Sequence, residues 1–124
     1  MQSIPVPTAL VKRATLSGVG EHFGVLRSDW SVFENTLQQG ARIVTWQEFA
    51  ANRPVKAISL LSESQTQASA LRLRSELERP KRYDFFSNNC ETAANRVVGR
   101  EPRSTQVEGL YLIAGLALIL VALN

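Results

Sequence analysis

From Gly109 to Leu123 the chain carries no charge and consists almost wholly of Leu, Ile, Val, Ala and Gly, with one tyrosine. A helix apolar on every face has to end in a core or a bilayer. At 1.5 Å per residue this run reaches roughly 22 Å, short of the roughly 30 Å hydrocarbon layer. A domain built from the preceding residues has little room to enclose such a helix whole, so the sequence predicts a membrane-inserted or membrane-associated tail. Arg96, Arg100 and Arg103 stand just before it. The preference of basic residues for the inner side then keeps the folded part cytoplasmic. The division expected is a domain over 1–107 and an anchor segment over 108–124.

A hydrophobic content of 44% suffices for a modest core in the remaining chain. Cysteine occurs once. No internal disulfide and no multi-cysteine zinc site is then possible, which favours a reducing compartment. The N-terminal segment has no basic stretch followed by an apolar core and does not read as a secretory signal. The net charge of +3 draws the protein toward anionic surfaces. Its basic residues are spread out, without the dense runs or aromatic interleaving of nucleic-acid binders, so no nucleic-acid partner is expected.

Residues 9–13, 22–27 and 31–36 read as short strands, the last two separated by the turn-like Ser28-Asp29. Thr45 and Glu48 fit a capping box for a helix from Trp46 to about Asn52, closed by Pro54. Residues 55–61 read as another strand. A helix over 64–79 would place Ala70, Leu73 and Leu77 on one face, with Arg72/Glu76 and Arg74/Glu78 paired one turn apart. Cys90, Ala93, Ala94, Val97 and Val98 recur at the spacing of one helical face that Gly99 stops. Ser87, Asn88 and Asn89 are all good N-caps, which puts Cys90 in the first turn.

A thiol attacks esters and amides as its thiolate, which a helix N-terminus and a nearby imidazole favour. His22 is the only histidine. A third polar group usually orients such a ring, and Glu34, twelve residues on, lies where an adjacent strand could bring it beside His22. Each residue also has a plainer reading: Cys90 as a small core residue, His22 as a surface or capping residue, Glu34 as a solvated strand residue. Spacing by itself does not decide between them.

Several segments in order resemble the lecithin:retinol acyltransferase family, in particular its H-Ras-like suppressor branch. His22-Phe23-Gly24-Val25 is similar to the family's histidine-led strand, and Glu34 takes the place of a second polar residue, commonly histidine. Asn89-Cys90-Glu91 reproduces the start of the family's N-C-E-H-F, after the aromatic lead-in Tyr83-Asp84-Phe85-Phe86. Arg103-Ser104-Thr105-Gln106-Val107 matches its R-S-x-Q-V, followed by the hydrophobic anchor. The departures are Thr92-Ala93 for His-Phe, Glu34 for histidine, and Gly18-Val19-Gly20-Glu21 where the family often carries an aromatic.

The resemblance implies an α+β, permuted papain-like (NlpC-related) fold, with an antiparallel sheet, helices and a C-terminal anchor helix. It implies a thiol-dependent phospholipase A1/A2 or acyltransferase acting on membrane phospholipids without metal or cofactor. Cys90 would be the nucleophile, His22 the general base and acid, and Glu34 the residue that orients His22. Asn88 and Asn89 are candidates for oxyanion support. The rivals are an NlpC-like cysteine peptidase or amidase, which usually places its cysteine before its histidine, and a non-catalytic membrane adaptor that keeps the fold.

Overall fold

The computed structural model describes residues 4–110 and 112. Five strands come first and last around a short helix: β1 (Ala9–Ala14), β2 (Glu21–Leu26), β3 (Ser31–Thr36), β4 (Gly40–Thr45), α1 (Trp46–Ala50) and β5 (Lys56–Leu60). Two longer helices follow, α2 (Glu63–Glu78) and α3 (Cys90–Val98). The strands form one antiparallel sheet in the order β4-β3-β2-β1-β5. The architecture is therefore α+β with an antiparallel sheet.

Side chains alternate across a strand, so each strand serves both faces of the sheet. On one face Leu10, Phe23, Val25 and Phe33 meet Leu73 of α2 and Cys90, Ala93, Ala94, Val97 and Val98 of α3. On the other Ala9, Val11, Leu26, Val32 and Val44 enclose Phe49 of α1. Gly24 makes that second face possible. A Cβ there would lie 2.7 Å from the Phe49 ring and 2.9 Å from the Phe33 carbonyl oxygen.

Strand β4 is absent from the sequence reading, which passes directly from Thr36 to Thr45. It forms because Gly40, at φ +69°, turns the chain back, and residues 40–45 then pair with β3 along its whole length. Helix α2 starts one residue earlier than expected, at Glu63, since Ser62 is the N-cap and forms a complete capping box with Gln65. Its buried residues are Ser69 and Leu73, while Ala70 is exposed. Arg74 does pair with Glu78. Glu76 instead accepts two hydrogen bonds from Arg96 of α3, at 2.8 and 3.2 Å. Arg72 donates to the Val97 carbonyl near the end of α3. Both arginines choose the neighbouring helix because it offers partly buried acceptors. At Thr45 only half of the expected box forms: its hydroxyl accepts from the Glu48 N–H, and also donates to the Glu48 carboxylate.

Residues 105–110 are helical. Most of the apolar run from Gly109 to Leu123 lies outside the described residues, as does most of the proposed segment 108–124. No helix among the described residues is long and apolar enough to cross a membrane.

Candidate active site

Helix α3 begins at the residue that the sequence singles out. The Asn89 side chain accepts from the Thr92 N–H at 2.9 Å, and the Thr92 hydroxyl accepts from the Asn89 N–H at 2.9 Å. This reciprocal cap uses Thr92, one of the departures from the family pattern, and it sets Cys90 as the first residue of the helix. The thiol is nearly buried and donates to the Glu21 carbonyl at 3.8 Å.

Glu21 and His22 open β2. Among the described residues the ladder between β2 and β3 covers only Val25–Phe33 and Leu26–Val32. Beyond it the two strands face each other through side chains. There His22 Nε2 donates to Glu34 Oε1 at 2.9 Å. A carboxylate accepts only, so this contact assigns the proton of the neutral ring to Nε2 and leaves Nδ1 for the thiol. The ring packs on Phe49 with centroids 5.3 Å apart. The other oxygen of Glu34 accepts from Arg42 Nε at 2.9 Å.

The electrostatics follow from these contacts. Burial of the imidazole opposes its protonation, but hydrogen bonds to Cys90 and Glu34, together with their charges, outweigh it and raise the His22 pKa to about 8. Burial likewise opposes ionisation of Glu34. Hydrogen bonds and charge from His22 and then Arg42 prevail and hold that carboxyl below its ordinary value. Tyr83, half-buried in the same groove, is pushed up by desolvation and by the charge of Cys90. The Arg13 guanidinium lies over the Phe49 ring, donates to the Phe49 carbonyl, and faces the groove.

Folding thus brings Cys90, His22 and Glu34 into one chain of contacts. Asn88 and Asn89, expected as oxyanion support, make a second set of contacts. The Asn88 amide donates to the carbonyls of Lys81 and Arg82 and accepts from Arg96 at 2.6 Å. The Asn89 amide caps α3 and donates to the Phe85 carbonyl. Both N–H groups of the Asn88 amide are thereby engaged in holding the loop, whereas Asn89 places one N–H on the Phe85 carbonyl and lines the groove that contains Cys90.

Two residues that the sequence reading missed complete the site. Arg42 belongs to the unexpected strand β4, where it stands opposite Glu34 in the ladder. Asn35, buried beside Glu34 in sequence, donates to the carbonyls of Asn88 and Asn89 at 3.2 and 3.4 Å. Adjacent residues of β3 therefore serve opposite faces: Glu34 grips the imidazole and Asn35 grips the turn that ends in Cys90. An alternating reading of 41–45 could have signalled Arg42; nothing local signals Asn35.

These groups line a groove of about 560 Å³ that also takes in Leu16, Val19, Leu37 and Phe85. A larger one, about 810 Å³, opens by Trp30 and Trp46 and contains neither the cysteine nor the histidine. Comparison with protein-family models, curated proteins and solved structures returns no match.

Proposed function

We propose that the protein is a cysteine-dependent acyl hydrolase or acyltransferase acting on glycerophospholipids at a membrane surface, with the permuted papain-like fold of the lecithin:retinol acyltransferase family. The observation that carries this reading is the position of His22, bound through Nε2 to a buried carboxylate and interacting with the thiol of a helix-terminal cysteine.

In this reading Cys90 gives its proton to His22 Nδ1, and the thiolate attacks the carbonyl carbon of an acyl ester. A C–S bond forms and the carbonyl electron pair moves to oxygen. The backbone N–H of Cys90, among those at the start of α3 without an intrahelical acceptor, meets the oxyanion. Collapse breaks the C–O ester bond, and the imidazolium returns its proton to the leaving lysolipid oxygen. His22 then takes a proton from water or an amine as it attacks the thioester carbonyl; the C–S bond breaks, the acyl group leaves as acid or amide, and the imidazolium proton returns to the Cys90 sulfur. Water makes the protein a phospholipase, and an amine makes it an acyltransferase. Glu34 holds the ring and its charge, and Arg42 holds Glu34. No metal or cofactor enters any step. The apolar run at the C-terminus would keep a cytoplasmic domain at the surface where the substrate resides.

Incubation of the full chain with phosphatidylcholine should yield lysolipid, fatty acid and a trappable Cys90 thioester. Cys90→Ala and His22→Ala should yield none of these. Equal product from wild type and either variant removes the proposal. Thiol reactivity no greater than that of a free cysteine, with no product, identifies an adaptor; cleavage of amide substrates alone identifies an amidase.

A further inference from the structure

Water-exposed apolar side chains on a folded domain are ordinary when scattered and informative when they converge. Here three separate loops bring them to the mouth of one groove. Leu16 and Val19, between β1 and β2, are 64% and 81% exposed. Leu37, in the turn between β3 and β4, is 70% exposed, and Phe85, before α3, is 48% exposed. All four line the groove that contains Cys90 and His22. Phe86, also exposed, meets Phe85 edge to face at 5.1 Å between centroids.

Three cations without a salt bridge stand around this rim. Arg53 reaches Leu16, donating to its carbonyl at 3.4 Å. Lys81 and Arg82 are exposed in the loop that Asn88 holds beside Tyr83. Among the described residues none of these three cations forms an ion pair. Of the neighbouring carboxylates, Glu34 is paired with His22 and Arg42 and Glu21 with Lys12; Glu48 and Asp84 keep their charge, hydrogen-bonded by the Thr45 hydroxyl and by the N–H groups of Phe86 and Ser87, with Arg82 near enough to Asp84 to be felt by it. Apolar tips flanked by cations that outnumber the unpaired carboxylates match an anionic bilayer, in which the tips enter the acyl boundary and the cations meet headgroup phosphates.

We infer that the Cys90 end of the domain is itself a membrane-docking face, with Leu16, Val19, Leu37 and Phe85 immersed and Arg53, Lys81 and Arg82 at headgroup level, independently of the C-terminal tail. The inference rests on the phospholipid reading for the purpose of docking, but its observations are the rim and its charge. Docked this way, the groove opens into the lipid, so an acyl ester reaches Cys90 without crossing water.

The test uses the full chain in a Cys90→Ser background, with Leu16→Cys, Leu37→Cys, Phe85→Cys or the outward-facing Leu71→Cys of α2 labelled by an environment-sensitive fluorophore. With vesicles of mixed phosphatidylcholine and phosphatidylserine, the label at positions 16, 37 and 85 should shift to the blue and brighten several-fold, and at 71 should not. Charge reversal by Lys81→Glu with Arg82→Glu should lower partitioning into these vesicles roughly tenfold or more at low salt. Rim labels that keep aqueous emission, or a label at 71 that responds equally, overturn the inference. Lysolipid release by the unlabelled wild type is read separately, so loss of the docking face and loss of the catalytic reading give different results.

Discussion

Helices α2 and α3 lie side by side, and both open with a complete capping box, yet the shorter one is the more deeply set. Over its sixteen residues α2 buries Ser69 and Leu73; over its nine, α3 buries all but Arg96. The difference teaches that local helix-forming strength and structural importance are separate quantities. Helix α2 is long enough to be well formed, and it acts as a brace, sending Arg72 and Glu76 across to its neighbour. Helix α3 depends on tertiary packing for its existence, and in return its first residue is held where the sheet can reach it.

The largest expected effect sets the chemistry of the two helices apart. Cys90→Ala should abolish lysolipid formation, whereas Leu71→Ala in α2 should leave the rate unchanged; comparable losses would show that the activity does not originate at α3. A matched pair of alanines tests packing next. Ala94→Leu forces extra volume into the sheet interface and should cost about 2 kcal/mol in chemical denaturation. Ala70→Leu, on the exposed side of α2, should change stability by less than about 0.5 kcal/mol. Similar values would erase the distinction drawn between the helices.

The pH dependence of stability sharpens the same contrast, because α3 abuts a titrating group. Below pH 6.5 His22 is protonated in both the folded and the unfolded chain, and its raised folded pKa contributes its full stabilisation of about 2 kcal/mol. That contribution should be lost as pH rises from 6.5 through about 8. Glu34→Gln should shrink it and should also move the acid limb of the activity profile, below which the protonated ring can no longer act as base, to lower pH. An unchanged limb would show that Glu34 does not act through the ring. The smallest difference concerns the caps. Ser62→Ala should cost about 1 kcal/mol. Asn89→Ala should cost more, on the order of 2 kcal/mol, since it also removes the donor to the Phe85 carbonyl in a partly buried hydrogen bond.

Much of this arrangement is legible in the chain. The strands over 9–13, 22–27 and 31–36 announce themselves by β-rich runs between turn residues, and the start of α3 by Asn89 before an apolar helical face. The pairing of His22 with Glu34 follows once two adjacent strands are assumed. Strand β4 escapes because Arg42 interrupts its apolar residues, and that same arginine is what Glu34 requires on its second oxygen. The roles of Asn88 and Asn89 escape for a different reason. An asparagine before a cysteine reads equally well as cap, loop staple or oxyanion donor, and the choice is made by carbonyls at 81, 82 and 85 and by an arginine at 96.

The segment Ser104-Thr105-Gln106 clamps both sides of the reacting pair. Its hydroxyls donate to the buried Glu91 carboxylate, next to Cys90, and the Gln106 side-chain oxygen accepts from the Glu21 N–H, next to His22. Mechanical load arriving from the apolar end of the chain is therefore delivered to the residues that neighbour the nucleophile and the base. A tug on the tail would loosen sulfur and imidazole together, so a shortened form that keeps its geometry has to retain the chain through at least Val107.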